Sequence, residues 1–158
     1  AVGSGLIMDT FETAVTWDRF PGFYEAIKNG VVALAKRVTG RGAFVSCRLT
    51  HVYPDGPAPY FTFALPGGKP GDVASALAAW REMKLGINEL LIAQGGTSTH
   101  HHAVGRDHRS AYELEVPPLY RNLLRAAKQV ADPAGIMNPG VLIDPLDRAV
   151  GIRGALAH

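Results

Sequence analysis

The apolar positions along this chain change period several times, and each change marks a predicted element. From Leu6 to Val15, "LIMDTFETAV" is rich in apolar and β-branched residues and reads as a strand. Phe20, Phe23, Tyr24, Ile27, Val31, Leu34 and Val38 then recur at three- and four-residue steps, the stripe of an amphipathic helix. The helix starts between Thr16 and Pro21, because proline is tolerated only in the first turn. Gly30 inside it costs roughly 1 kcal/mol against alanine, and "TGRG" (Thr39–Gly42) ends it. "AFVSCRLTHVY" (Ala43–Tyr53) and "YFTFAL" (Tyr60–Leu65) read as two strands of a hairpin, joined by a long loop that contains "PDGPAP". Asp72 is placed to cap a helix from about Val73 to Ala93. Gly95 and Gly96 end that helix. Thr97–Thr99 form a short extended piece, and "PPLYRNLLRAAKQVA" (Pro117–Ala131) is a last helix before a turn-rich tail, "DPAGIMNPGVLID".

The order strand, helix, strand, strand, helix, short strand is the split βαβ pattern of a ferredoxin-like α+β sandwich, with a helical appendix after it. The boundary between sandwich and appendix is expected at 112/113, giving units 1–112 and 113–158. Helices would cover one face of an antiparallel sheet. In "YFTF", Tyr60 and Thr62 share one face and Phe61 and Phe63 the other, so the second face is expected to be covered as well.

Composition narrows the function classes. A chain of 158 residues can bury a real core as one compact domain. A net charge of +2 gives no electrostatic support for a nucleic-acid partner or an anionic membrane. The single cysteine, Cys47, excludes an internal disulfide and fits a reducing, cytoplasmic setting, with a membrane-peripheral one also allowed. There is no apolar run of roughly 20 residues to span a bilayer, and "AVGSGLIMDTFE" does not read as a signal peptide. The chain opens at Ala1, so either a methionine was removed or the chain was cut from a longer one.

The densest chemistry is "GGTSTHHHAVGRDHR", Gly95 to Arg109. Imidazoles titrate near neutral pH and can donate or accept protons. In an extended segment His100 and His102 would share one face and His101 the other, so only the first and third could converge on a metal. Asp107 and His108 could add ligands after a turn. A metal site, an exposed polar loop and a proton-transfer or anion-binding loop all stay open on residue physics alone; the proton-transfer reading is preferred, with no metal assigned. Arg106 and Arg109 form a cation cluster suited to a carboxylate or phosphate, or to solvent. Tyr53, at a strand end beside a turn, is a packing residue or an acid/base. Cys47 reads as a small buried hydrophobe rather than a nucleophile. Asp9 and Glu12 are acidic residues in the first strand region, and "GSG" at Gly3–Gly5 is too short for a dinucleotide fingerprint.

Taken in order, "DTFETAVTWDRF", "SCRLTHVYPDGPAPYFTF", "GGTSTHHHAVGRDHR" and "DPAGIMNPGVLI" resemble the C-terminal cap region of FAD-linked oxidases of the vanillyl-alcohol oxidase type. Within that superfamily the chain resembles the alkyldihydroxyacetonephosphate synthases, from about Asp9 to Ile143. The "DPAGIMNPG" ending is similar to D-lactate and glycolate dehydrogenase relatives, which show Glu-His-Gly where this chain has His101, His102 and Ala103. The resemblance implies an FAD cofactor, held mainly by an N-terminal domain that has no counterpart in these residues. It implies a flavin-mediated exchange of an acyl for an alkyl group on dihydroxyacetone phosphate, a step of ether-lipid synthesis, with no net oxidation. It assigns proton transfer to Tyr53, His100, His101 and His102. Arg106 and Arg109 correspond in position to the basic residues after the triplet, and their charge suggests a contact to the substrate phosphate. Ala103 stands where a glycine commonly follows the triplet, which narrows the loop's conformations. The partners expected are the FAD-binding domain and a small phosphorylated or hydroxy-acid substrate, with no nucleic acid. A D-2-hydroxy acid dehydrogenase cap and a non-catalytic module that forms a homodimer are the alternatives.

Overall fold

A computed structural model describes residues 4–144. The chain divides into two compact units between Ala103 and Val104.

In the first unit, β1 (Leu6–Glu12), α1 (Phe20–Thr39), β2 (Phe44–Val52), β3 (Pro57–Pro66) and α2 (Val73–Ala93) follow in order. The strands form an antiparallel sheet in the order β1-β3-β2. This is the expected α+β arrangement, with helices on one face. The expected short strand at Thr97–Thr99 does not form; these residues are irregular. Thr97 instead makes one backbone bond, donating to the carbonyl of Ala14 at 3.3 Å. Side chains tie down the rest: Thr13 donates through Oγ1 to the Thr97 carbonyl at 2.7 Å, and Thr97 Oγ1 accepts from the Ala14 N–H at 3.0 Å. A ladder cannot propagate where side chains hold the positions that backbone groups would need.

The loop of the hairpin is shorter than the sequence suggested. β3 begins at Pro57, so only Tyr53 to Gly56 turn the chain. Prolines cannot donate to a ladder, yet their carbonyls accept: Thr13 N–H donates to Pro59 and Val15 N–H to Pro57. A register shift between Leu49 and His51 absorbs the mismatch on the β2 side.

Ile7 and Phe11 of β1, Phe61, Phe63 and Leu65 of β3, and Phe23, Ile27, Val31, Met83, Ile87 and Leu91 of the helices form the core. Phe11 stacks on Phe61 with centroids 4.9 Å apart. Two glycines let the helices approach: a Cβ on Gly30 would strike Leu90, and one on Gly86 would strike Leu34. Gly30 is therefore a packing device, which offsets its poor helix propensity. Asp72 caps α2 by accepting from the Ser75 N–H, and Gly40 ends α1 in the left-handed conformation.

The second sheet face is not sealed as expected. Tyr60, Thr62 and Ala64 are only partly buried, and Met8 and Phe44 at the same end are exposed. The strand alternation was right, but the aromatic there is Tyr60, whose ring packs under the Arg48 guanidinium at 4.4 Å and whose hydroxyl donates to Thr10 Oγ1.

The second unit holds α3 (Arg109–Glu115), which sequence patterning missed, and α4 (Pro118–Ala131). α3 has seven residues, too few for a periodic stripe to show. No residue of α4 is buried, and Leu119, Leu123 and Val130 are exposed along it.

Gly96 joins the core to the histidine segment. A Cβ there would lie 2.7 Å from Thr13 Oγ1 and 2.8 Å from two carbons of the Phe23 ring. Thr13 and Phe23 are buried and cannot move aside. Gly96→Ala should destabilise the chain by about 1–3 kcal/mol, read as a lower urea midpoint at unchanged slope.

Candidate functional site: a buried carboxylate under four imidazoles

The alternation of β1 turns Glu12 away from the helices, toward the face that carries Thr10 and Tyr60. Even so, its side chain has no solvent exposure. Imidazoles cover it. His51 Nδ1 and His100 Nδ1 each lie 3.5 Å from Oε1. His101 Nδ1 lies 2.5 Å from Oε2, and His102 Nε2 lies 3.7 Å from the same oxygen. Thr50 Oγ1 donates to Oε1 at 3.4 Å. The rings also meet edge to face: His101 and His102 centroids are 4.8 Å apart, and His102 packs on Tyr60 at 5.5 Å.

This overturns one expectation from the sequence. His101 was expected to face away from His100 and His102. The segment is not extended, so the strand alternation does not apply, and all three rings turn to the same carboxylate. Ala103, just after them, sits at φ 62°, in the left-handed region. Ala103 thus holds a glycine-like backbone, at a steric cost of roughly 1 kcal/mol for the methyl group.

Tyr53 is placed by the first turn of the hairpin. Its N–H donates to Gly56 and its carbonyl accepts both from the Gly56 N–H and, at 3.0 Å, from the Trp17 indole. Gly56 is obligatory here, because a Cβ would run into the backbone of Val15 and Thr16. Held this way, the Tyr53 hydroxyl comes within 3.0 Å of His100 Nε2. A recess of about 410 Å³ opens beside Tyr53, lined by Val15, Thr16, Arg19, Asp55 and Pro57 among others.

Glu12 and His51 were not singled out as functional in the sequence. The signal for Glu12 was its place in "FET", two residues after Thr10 on a face that the histidines roof. His51 is the next-to-last residue of β2, and its ring stacks on that of Tyr53 in the turn that follows, centroids 6.5 Å apart. The four atoms that Glu12, His51, His100 and His101 could offer to a metal lie within 4.8 Å of one another. Asp107 and His108, the other ligands considered, belong to the second unit.

Arg106 and Arg109 also lie in the second unit. Arg106 is exposed and donates through Nη2 to the Pro139 carbonyl at 3.0 Å. Arg109 bonds Glu113 at 3.0 Å and Asp144 at 2.8 Å, and the Asp144 carboxylate beside it raises its already high pKa. Its guanidinium is therefore matched by carboxylates of its own unit.

Residues 1–142 match the family described as FAD linked oxidases, C-terminal domain. The chain belongs to that family. It is 30% identical over 142 residues to alkyldihydroxyacetonephosphate synthase of Caenorhabditis elegans, covering 89% of this chain and 23% of that protein. It is 28% identical over 136 residues to the Dictyostelium discoideum synthase, covering 86% of this chain and 21% of that protein. A solved alkyldihydroxyacetonephosphate synthase structure in P212121 superposes with a TM-score of 0.53 at 21% identity, covering 85% of this chain and 20% of that one. That last likeness shows a shared fold. The chain spans about a fifth of the length of these relatives. Family membership implies FAD use.

Cys47 lies apart from this chemistry, on the core-facing side of β2. Burial pushes its thiol up to about 11. A raised acid stays neutral as pH rises, so at pH 8 Cys47 in the folded chain should react with a disulfide reagent at least ~100-fold more slowly than in the denatured chain. Its rate should still be climbing at pH 10; a plateau near pH 8 would show an accessible thiolate.

Proposed function

We propose that this chain is the substrate-facing cap of an FAD-dependent enzyme that works as an alkyldihydroxyacetonephosphate synthase, exchanging the acyl chain of an acyl dihydroxyacetone phosphate for a fatty alcohol in ether-lipid synthesis. The observation that supports the reading is the joining of the Tyr53 hydroxyl and the histidine triplet into one cluster of polar contacts on a buried carboxylate. Such an exchange releases a fatty acid, takes up an alcohol and needs protons moved at the substrate carbon without net redox change.

The donor set suits that task. FAD, when bound, would supply the electrophilic centre for the exchange. We assign its binding mainly to chain outside these residues, because "GSG" at Gly3–Gly5 is too short and isolated to be a dinucleotide fingerprint. The chain's own residues handle protons. Tyr53 and His100 form a phenol–imidazole pair at 3.0 Å, in which a proton can pass between groups of opposite role. Glu12 orients the imidazoles from below and stabilises whichever of them is protonated. His101, half exposed, and His102 are the groups that can take a proton from the substrate carbon and return one to it. The recess beside Tyr53 has room for part of the substrate. For the phosphate, we favour Arg106, since Arg109 already pairs with two carboxylates. The cytoplasmic or membrane-peripheral setting and the FAD-binding partner domain belong to the same reading.

The test uses the complete enzyme, loaded with FAD and assayed for exchange of labelled fatty alcohol. Replacing His101 and His102 together with alanine should lower turnover at least ~100-fold, and Tyr53→Phe should lower it by a similar factor. Flavin absorbance should be retained in both variants. Full turnover in the double variant would remove the histidines from the mechanism.

A further inference from the structure

The ring nitrogens around Glu12 cannot all carry hydrogen. Nδ1 of His100 and Nδ1 of His101 lie 3.4 Å apart. Two N–H groups cannot point at one another at that separation, so at least one of these atoms presents a lone pair. Three imidazolium charges around a single carboxylate would also leave positive charge uncompensated. The outer nitrogen of His100 is engaged by the Tyr53 hydroxyl at 3.0 Å. When that nitrogen bears the hydrogen, the phenol oxygen accepts it and Nδ1 faces inward unprotonated, the arrangement by which metal-binding histidines are oriented. Glu12 adds a second sign. Its Oε2 is buried and has no hydrogen-bond partner, because His101 Nδ1, although 2.5 Å away, does not meet it with donor geometry.

We propose that Glu12, His51, His100 and His101 form a site for a divalent transition-metal ion of the zinc class, bound by three nitrogens and one oxygen. The four ligand atoms lie within 4.8 Å of one another. Ligands about 2.0–2.2 Å from one zinc stand roughly 3–4 Å apart, so the widest separations must close while His101 Nδ1, now 2.5 Å from Oε2, must draw back. His51 and His101 have side chains 43% and 50% exposed and are free to make that adjustment. Nitrogen-rich donors select zinc, cobalt or nickel over magnesium and calcium, which prefer all-oxygen shells. Thr50 on Glu12 and Tyr53 on His100 supply the outer contacts that hold ligands in orientation. His102 stands outside the set, its Nε2 3.7 Å from Oε2 and its ring on Tyr60.

The site uses the cluster described above but does not depend on its having a proton-transfer role. The test is calorimetric titration of the full-length, metal-stripped protein with zinc chloride in excess magnesium, repeated with cobalt to follow its visible absorbance. The expected result is one ion per chain and a four-coordinate cobalt spectrum. His51→Gln, at a half-exposed ring, should weaken zinc binding at least ~10–100-fold while the circular dichroism stays native. Glu12→Gln should do the same, and His102→Gln should leave zinc affinity within about threefold of the parent. Absence of stoichiometric zinc uptake by the parent overturns the proposal. So does uptake that survives both His51→Gln and Glu12→Gln unchanged. Because the readout is binding, its failure would leave the turnover test of the histidines standing, and the reverse holds too.

Discussion

A carboxylate without water must be met by something, and in this protein that requirement shapes the functional end of the molecule. Glu12 is wholly buried at the end of β1, on the sheet face opposite the helices. An ionised carboxylate in such a place costs several kcal/mol unless it is compensated. Its compensation comes from His51 on the neighbouring hairpin and from the triplet after α2. The threonine contacts between residues 13–14 and residue 97 then fix the distance at which the triplet can sit. The threonines thus hold the segment on the sheet, and the carboxylate sets the direction its rings face.

The rest of the fold supplies position. Trp17 and Gly56 set the turn that presents Tyr53, and Gly96 lets the chain leave α2 closely enough against Phe23 to reach the sheet. These are backbone and packing constraints, and none of them involves the reacting groups directly. They explain why "FET…W" and the glycine pair before the histidines accompany the triplet: each handles one part of holding imidazoles and a phenol together. The exposed α4 surface and the unsealed end of the sheet, with Met8 and Phe44, are apolar areas that remain after this assembly is made.

Much of this was legible in the residues. The helix of Phe20 to Val38 and the helix capped by Asp72 follow from periodicity and capping, which are local properties. The resemblance to FAD-linked oxidases was carried by short motifs and is matched by the family to which the chain belongs. What sequence could not show is non-local. The strand expected at Thr97–Thr99 was displaced by side-chain bonds to residues far away in the chain. Pro57 and Pro59 read as loop because proline disfavours strands, but they enter β3 where only their carbonyls are needed. His101 was assigned to the wrong side because alternation was applied to a segment that is not a strand. Glu12 looked like an ordinary acidic residue until the roof above it was known.

The pieces of the site come from remote parts of the chain. Thr13 and Thr97, which pin the triplet beside Glu12, are 84 residues apart, and Tyr53 and His100 are 47 apart. Contacts of such long range form late, since the entropy of closing those loops must be met before they contribute. Nascent helices or an isolated hairpin would hold none of the clustered imidazoles. The cluster is therefore a signature of completed folding: a partly folded chain carries the histidines but none of their joint chemistry.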